Sequence, residues 1–346
     1  MRARVWQAFP RARPGLSKPL PLTLACWDYD RTRALQDGRV KPEGIELTYV
    51  PLGMPESFFR MLRYGEFDVS EMSLSWYTRT VFTDPRPFIA IPVFPSRMFR
   101  HNCIFVNVNS GIREPRDLIG KRVGVPEYQM TAAVWLKGIL ADHYGVPFDS
   151  VSYHTGGLKN PGRRETPMDL PANIVVEPIP SDRTLSEAIE SGEVDALYTA
   201  EMPESFEHHS PNVRRLFENY RAEEEAFFEK TKIFPIMHTV VIKRELYEGH
   251  RWVAQSLVKA FEASLQLAYA DLYETAALKI TLPWLIAHVE DTRAKLGGDD
   301  FWPYGLDRNR DNLATFLRYS FEQGLSPRLL EPHELFAIET LDTAKT

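Results

Sequence analysis

The chain opens its patterned region with PLTLACWDYD (21–30), an apolar run that enters a charged and aromatic cluster, as a buried strand does when its end carries a site. GIELTYVPL then alternates Ile45, Leu47 and Tyr49 with polar partners, which predicts a half-buried strand. PESFFRMLRY (55–64) reads as a short helix closed by Gly65, and FDVSEMS as the strand that follows. The group Gly65-Glu66-Phe67-Asp68-Val69 recurs as Gly192-Glu193-Val194-Asp195-Ala196, each copy following an amphipathic helix and opening a short strand. Between the copies, KRVGVP (121–126) predicts a strand meeting a helix that starts at Pro126. That helix carries Ala132, Trp135, Leu136, Ile139 and Leu140 at helical spacing and stops at Gly145. Strands at 174–178 and 195–199 flank a further helix over 185–191.

A β-α-β pattern repeated in two halves predicts an α/β fold of two lobes, with mixed, mostly parallel sheets and a ligand cleft between the lobes. The apolar strands 103–108 and IMHTVVIK (236–243) bracket the second half and are expected to lie side by side as a two-stranded hinge. On this reading residues 1–20 form a flexible leader. Lobe one combines 21–113 with 236–346, and lobe two is the insertion 114–235. Helices expected over 252–270 and 310–323 either cover lobe one or offer a face for a homo-oligomer.

Composition narrows the function. Across 346 residues, 41 Lys+Arg against 47 Asp+Glu leave a net charge of −6, which lacks the footprint of a nucleic-acid binder. Any anion is therefore expected to meet a few placed cations. No apolar run approaches a membrane span, and the basic N-terminal stretch has no apolar core of the secretory kind, so a cytoplasmic protein is expected. Cys26 and Cys103 stand far apart in apolar segments and read as small buried hydrophobes.

Four clusters fall at strand ends or helix starts. Trp27-Asp28-Tyr29-Asp30-Arg31 offers a carboxylate at Asp28 and an anion-binding fork at Arg31, or simply a helix cap. Ser70-Glu71-Met72-Ser73 offers hydroxyls and a carboxylate, without the GxSxG elbow of a hydrolase. Arg97, Arg100 and His101 sit together just before the first expected hinge strand, where charges are costly to enclose without a partner. Tyr128 and Thr131 follow Pro126 at the expected helix start. Of the other histidines, His238 lies in the return strand, and His208-His209 reads as an exposed turn.

Taken in order, DYDRTRALQDGRVKPEGI, SEMSLSWY, FPSRMFRHNCIFVN, GKRVGVPEYQMTAAVWLKGIL, GGLKNPGRRE and FWPYGLDRNRDNLATFLRYSFEQGL resemble the 4,5-dihydroxyphthalate decarboxylase family, whose members have the type II periplasmic-binding-protein fold. The resemblance runs from Leu22 to Phe336 and implies a small aromatic carboxylate as substrate. Losing carbon dioxide directly would leave an aryl anion, so the ipso carbon must first gain a proton, with electron donation from a para hydroxyl. Such an enzyme needs a proton donor, a contact to the phenol and a cationic anchor. The roles expected here are His101 as acid, Asp28, Glu71 and Tyr128 at the phenols, and Arg97 and Arg100, helped by Arg31, as anchors. Ser73, Thr131 and His238 complete the substrate contacts. No organic cofactor is implied, and a divalent metal on His101, Glu71 or His238 is the alternative to a metal-free site. The competing functions are a non-catalytic solute-binding protein for a small aromatic carboxylate, and a biosynthetic enzyme of the menaquinone or thiamine-precursor type.

Overall fold

The computed structural model describes residues 18–341, so most of the expected leader lies outside the described residues. Leu20, the last residue assigned to that leader, already pairs with Ile45 as the first residue of a strand. The strands are β1 (Leu20–Cys26), β2 (Ile45–Pro51), β3 (Val69–Ser73), β4 (Phe88–Arg97), β5 (Ile104–Asn107), β6 (Arg122–Val125), β7 (Ser152–Thr155), β8 (Val175–Pro178), β9 (Ala196–Tyr198), β10 (Val213–Arg215) and β11 (Ile236–Lys243). The helices used below are α1 (Met54–Tyr64), α2 (Leu74–Thr80), α3 (Thr131–Tyr144), α4 (Leu185–Ser191), α5 (Tyr220–Thr231), α6 (Trp252–Leu272), α7 (Leu285–Leu296) and α8 (Arg310–Glu322).

Two mixed sheets form, one in the order β2-β1-β3-β11-β4 and the other β10-β5-β9-β6-β7-β8. The repeated Gly-Glu-x-Asp motif has the same job in each. Gly65 and Gly192 end α1 and α4 in the left-handed region, at φ 56° and 80°, where a side chain would be strained. Asp68 then accepts from Thr23 N at 2.8 Å and Asp195 from Arg122 N at 2.9 Å, so each aspartate latches the neighbouring parallel strand.

Two expectations about the lobes are corrected by the pairing. The strand expected to end lobe one, β5, bonds to β9 and β10 in the second sheet, so the chain crosses over at 98–103 and not at 113/114. For the same reason the expected two-stranded hinge does not exist, because β5 and β11 belong to different sheets. The two crossings touch instead at Met98 N to Pro235 O, 3.1 Å. The chain re-enters the first sheet at Ile236.

The helix expected from Pro126 begins at Thr131, and 126–130 form a turn. This helix, α3, is buried on every side from Thr131 to Leu140 because it lies between the lobes. Trp135 Nε1 donates to Ile236 O of β11 at 2.8 Å, and Val134 O accepts from Gln323 Nε2 beyond α8 at 2.9 Å. Among the described residues, no helix is long and apolar enough to cross a membrane.

Candidate active site in the interlobe cleft

Strand register creates the first part of the site. His238 on β11 stands opposite Ser73 on β3, and Glu71, two residues before Ser73, shares that face, which brings the histidine diagonally within reach of the carboxylate. His238 Nδ1 and Glu71 Oε1 lie 2.7 Å apart. Glu71 is fully buried and also accepts from Tyr29 OH at 2.7 Å, Trp27 N at 3.1 Å and Cys26 Sγ at 3.5 Å. Burial alone would raise its pKa, but the hydrogen bonds and charge of His238, with those of Tyr29 and Trp27, hold the carboxyl below its ordinary value. Burial and the Glu71 charge conversely push the Tyr29 phenol and the Cys26 thiol upward, so both remain proton donors to Glu71. An ionised Glu71 fixes a proton of His238 on Nδ1 and leaves Nε2, which makes no hydrogen bond among the described residues, for the cleft that His238 lines.

That cleft has a volume of about 380 Å³ and takes walls from both lobes, including Trp27, Phe58, Trp76, Met130 and Leu158. Arg100 enters it from the crossing segment. Its Nη1 donates to Ala200 O at 3.1 Å and its Nε contacts Met237 Sδ at 3.2 Å, and among the described residues it makes no ion pair although it is only 6% exposed. A nearly enclosed guanidinium with no carboxylate partner is costly to keep, and a bound anion would offset that cost. Arg31 stacks between Tyr29 and Trp302, at 4.0 and 4.3 Å from their ring centres, donates to Pro95 O at 2.5 Å and pairs with Asp30 at 3.0 Å. Arg97 touches the cleft, but its guanidinium turns away to Phe234 O, Pro303 O and Asn309 Oδ1. Its expected role as an anchor is corrected accordingly. Ser73 and Thr131 meet across the lobes, 2.8 Å apart, and Thr131 Oγ1 also accepts from Ser75 N at 3.1 Å.

Three further expected site residues lie outside the cleft. His101 is buried among Tyr144, Phe217 and Phe227, at centroid distances of 5.9, 5.3 and 5.4 Å, and neither ring nitrogen has a partner. Burial, and secondarily the charge of His143, push its pKa down to about 4. It cannot reach an ipso carbon from there. Asp28 is exposed and pairs with Arg33 at 3.3 Å. Tyr128 is fully buried and its OH donates to Gln323 O at 3.2 Å. Glu71 does join the site, but behind His238 and not against a ligand. Of the residues offered for a metal, Glu71 and His238 adjoin each other and His101 lies apart; no group of three His, Cys, Asp or Glu side chains is placed to hold a metal among the described residues.

The turn 126–130 adds what the sequence reading omitted. Glu127 and Arg163 both line the cleft, and Arg163 donates twice to Glu127 Oε1, from Nη2 at 2.6 Å and Nε at 3.2 Å. Arg163 belongs to the quoted GGLKNPGRRE stretch, which was the available signal for it.

The chain has a two-lobed α/β fold of the type II periplasmic-binding-protein kind, with a nearly enclosed arginine and a carboxylate-backed histidine lining its interlobe cleft. Solved structures agree on the fold: the periplasmic aliphatic sulphonate binding protein SsuA from Escherichia coli matches with a TM-score of 0.52 at 14% identity over 92% of each chain. The alkanesulfonate-binding protein SsuA from Xanthomonas axonopodis pv. citri matches at 0.51 and 15% identity, covering 94% of this chain and 98% of that one. No protein-family model matches the chain. A 4,5-dihydroxyphthalate decarboxylase of Comamonas testosteroni is 39% identical over 327 residues, covering 94% of this chain and 99% of the relative. Another, of Pseudomonas putida, is 39% identical over 205 residues, covering 59% and 80% respectively. The chain belongs to the 4,5-dihydroxyphthalate decarboxylase family, which are carboxy-lyases.

Proposed function

We propose that this protein removes one carboxylate from a hydroxylated aromatic acid, with 4,5-dihydroxyphthalate as substrate and protocatechuate and carbon dioxide as products, and that it does so by protonating the ipso carbon in the interlobe cleft. The observation that carries this reading is that the free Nε2 of His238 and the unpaired guanidinium of Arg100 line one cleft. Arg100 anchors the carboxylate that is retained. His238, as the imidazolium stabilised by Glu71, gives its Nε2 proton to the ipso carbon, and a π pair of the ring forms the new C–H bond. The C–C bond to the departing carboxylate then breaks, its pair restores the aromatic ring, and carbon dioxide leaves. His238 regains a proton from water, so the sum is one arenecarboxylate and one proton giving arene and carbon dioxide. His238 thus takes the role that sequence reading gave to His101.

The test is carbon dioxide release from 4,5-dihydroxyphthalate by the wild-type protein and by His238→Gln. The expected outcome is turnover by the wild type and a fall of roughly 10²-fold or more in the variant. Tight binding by the wild type with no carbon dioxide would instead identify a solute-binding protein. Undiminished turnover in the variant would remove His238 from the proton-donor role.

A further inference from the structure

The proposed reaction also needs a group that draws on the phenol hydroxyl, and each residue expected for it is either behind His238 or outside the cleft. Glu127 has the required position. It is 9% exposed and lines, from the second lobe, the same cleft that His238 lines. Both hydrogen bonds from Arg163 go to Oε1, and among the described residues Oε2 accepts none. Arg163 neutralises the carboxylate, so Glu127 can face an anionic substrate without repelling it.

The backbone beside Glu127 is held unusually firmly. Tyr128 N donates to Glu165 Oε2 at 2.6 Å, and Tyr128 O accepts from Lys137 Nζ at 2.8 Å, so the same residue is gripped at both its polar groups by side chains. Lys137 is 1% exposed, and its Nζ also lies 3.1 Å from the Tyr128 ring centre. A lysine this deeply placed is costly to retain, and what it and Glu165 fix is the turn that carries Glu127.

We propose that Glu127 is the carboxylate that receives the substrate's phenol hydroxyl, through Oε2, while Lys137 and Glu165 act as positioning residues for its turn. The inference rests on the decarboxylase reading above. As the ipso carbon gains its proton from His238, the para O–H proton passes to Glu127 and the oxygen becomes a ring carbonyl. When the C–C bond breaks and the ring regains aromaticity, the proton returns to oxygen. Glu127 therefore ends the cycle unchanged, and the overall balance is still set by His238.

The experiment compares binding of 4,5-dihydroxyphthalate with that of phthalate, which lacks the hydroxyls, alongside kcat for the former, in the wild type, Glu127→Gln and Glu127→Asp. The wild type is expected to prefer the dihydroxy compound by about tenfold, the worth of one charge-assisted hydrogen bond. Glu127→Gln is expected to bind phthalate as the wild type does, to lose most of the preference, and to drop kcat by about 10²-fold. Glu127→Asp keeps the charge and is expected to fall between the two. Retained preference and kcat in Glu127→Gln overturn the assignment, and so does a wild type that binds phthalate and dihydroxyphthalate equally, whether or not either variant folds. A wild type that binds neither compound overturns the decarboxylase reading itself, and this inference with it.

Discussion

An imidazole needs a hydrogen-bond acceptor for whichever nitrogen carries its proton, and His238 has one in Glu71 at 2.7 Å whereas neither nitrogen of His101 has any. The first arrangement leaves the other ring nitrogen to the cleft; the second keeps a neutral ring in an aromatic enclosure. The consequence for His101 is a stability dependence with a fixed sign. Its pKa falls from 6.5 to about 4 on folding, so between those values the unfolded chain binds a proton that the folded chain refuses. Stability contributed by this residue is complete above pH 6.5 and is lost as the pH falls toward 4, to the extent of roughly 2–3 kcal/mol. His101→Phe should therefore flatten the acid limb of a denaturation series run from pH 7 to pH 4, while leaving turnover of dihydroxyphthalate within a few-fold of the wild type. A large loss of turnover in this variant would return His101 to the chemistry. Sequence reading grouped Arg97 and Arg100 with His101, and of the three His101 does not line the cleft, whereas His238 does. Arginines beside a histidine mark a costly neighbourhood, yet only the β3–β11 register shows which imidazole meets a carboxylate.

Elements whose shape depends on local pattern were legible. The helix over 185–191 and the strand over 236–243 have the expected limits, because a capping box at Thr184 and Glu187 and a continuous apolar run mark them in the sequence itself. The turn 126–130 was not legible, since what keeps it out of the helix is the grip of Lys137 and Glu165 on Tyr128, one of them 37 residues away. Glycine at position 138 of α3 shows the same dependence on distant partners. On helix propensity alone, Gly138→Ala would gain about 0.8–1 kcal/mol. A Cβ there would come within 2.2 Å of the Tyr319 ring of α8, including its Cγ, which has no freedom to swing aside. Tyr319 is itself fixed, donating to Asp142 Oδ2 of α3 at 2.8 Å. Gly138→Ala is therefore expected to destabilise the protein by about 1–3 kcal/mol, read as a lower denaturant midpoint. A raised midpoint would mean that α8 can move away from α3.

The two sheets do not give two separate cores. One continuous cluster of buried apolar side chains runs from Leu24 and Val240 of the first sheet through Trp135 of α3 to Val123 and Tyr153 of the second, and only a small satellite under α4 stands apart from it. α3 is the joint. It receives Gln323 and Tyr319 from the α8 region, donates to β11 through Trp135, and begins at Thr131, which bonds to Ser73 and Ser75 of the first lobe. Lobes that share a helix in this way cannot lose one core without exposing the other, so unfolding should be cooperative across the whole molecule. A calorimetric scan is expected to show one transition whose van't Hoff and calorimetric enthalpies agree, in spite of the two-sheet architecture. Saturating dihydroxyphthalate should shift that transition upward as a unit, by linkage, because the cleft proposed to hold it takes walls from both lobes. Two resolved transitions, with only one responding to ligand, would show that α3 belongs energetically to a single lobe and that the cleft closes by free movement of the other.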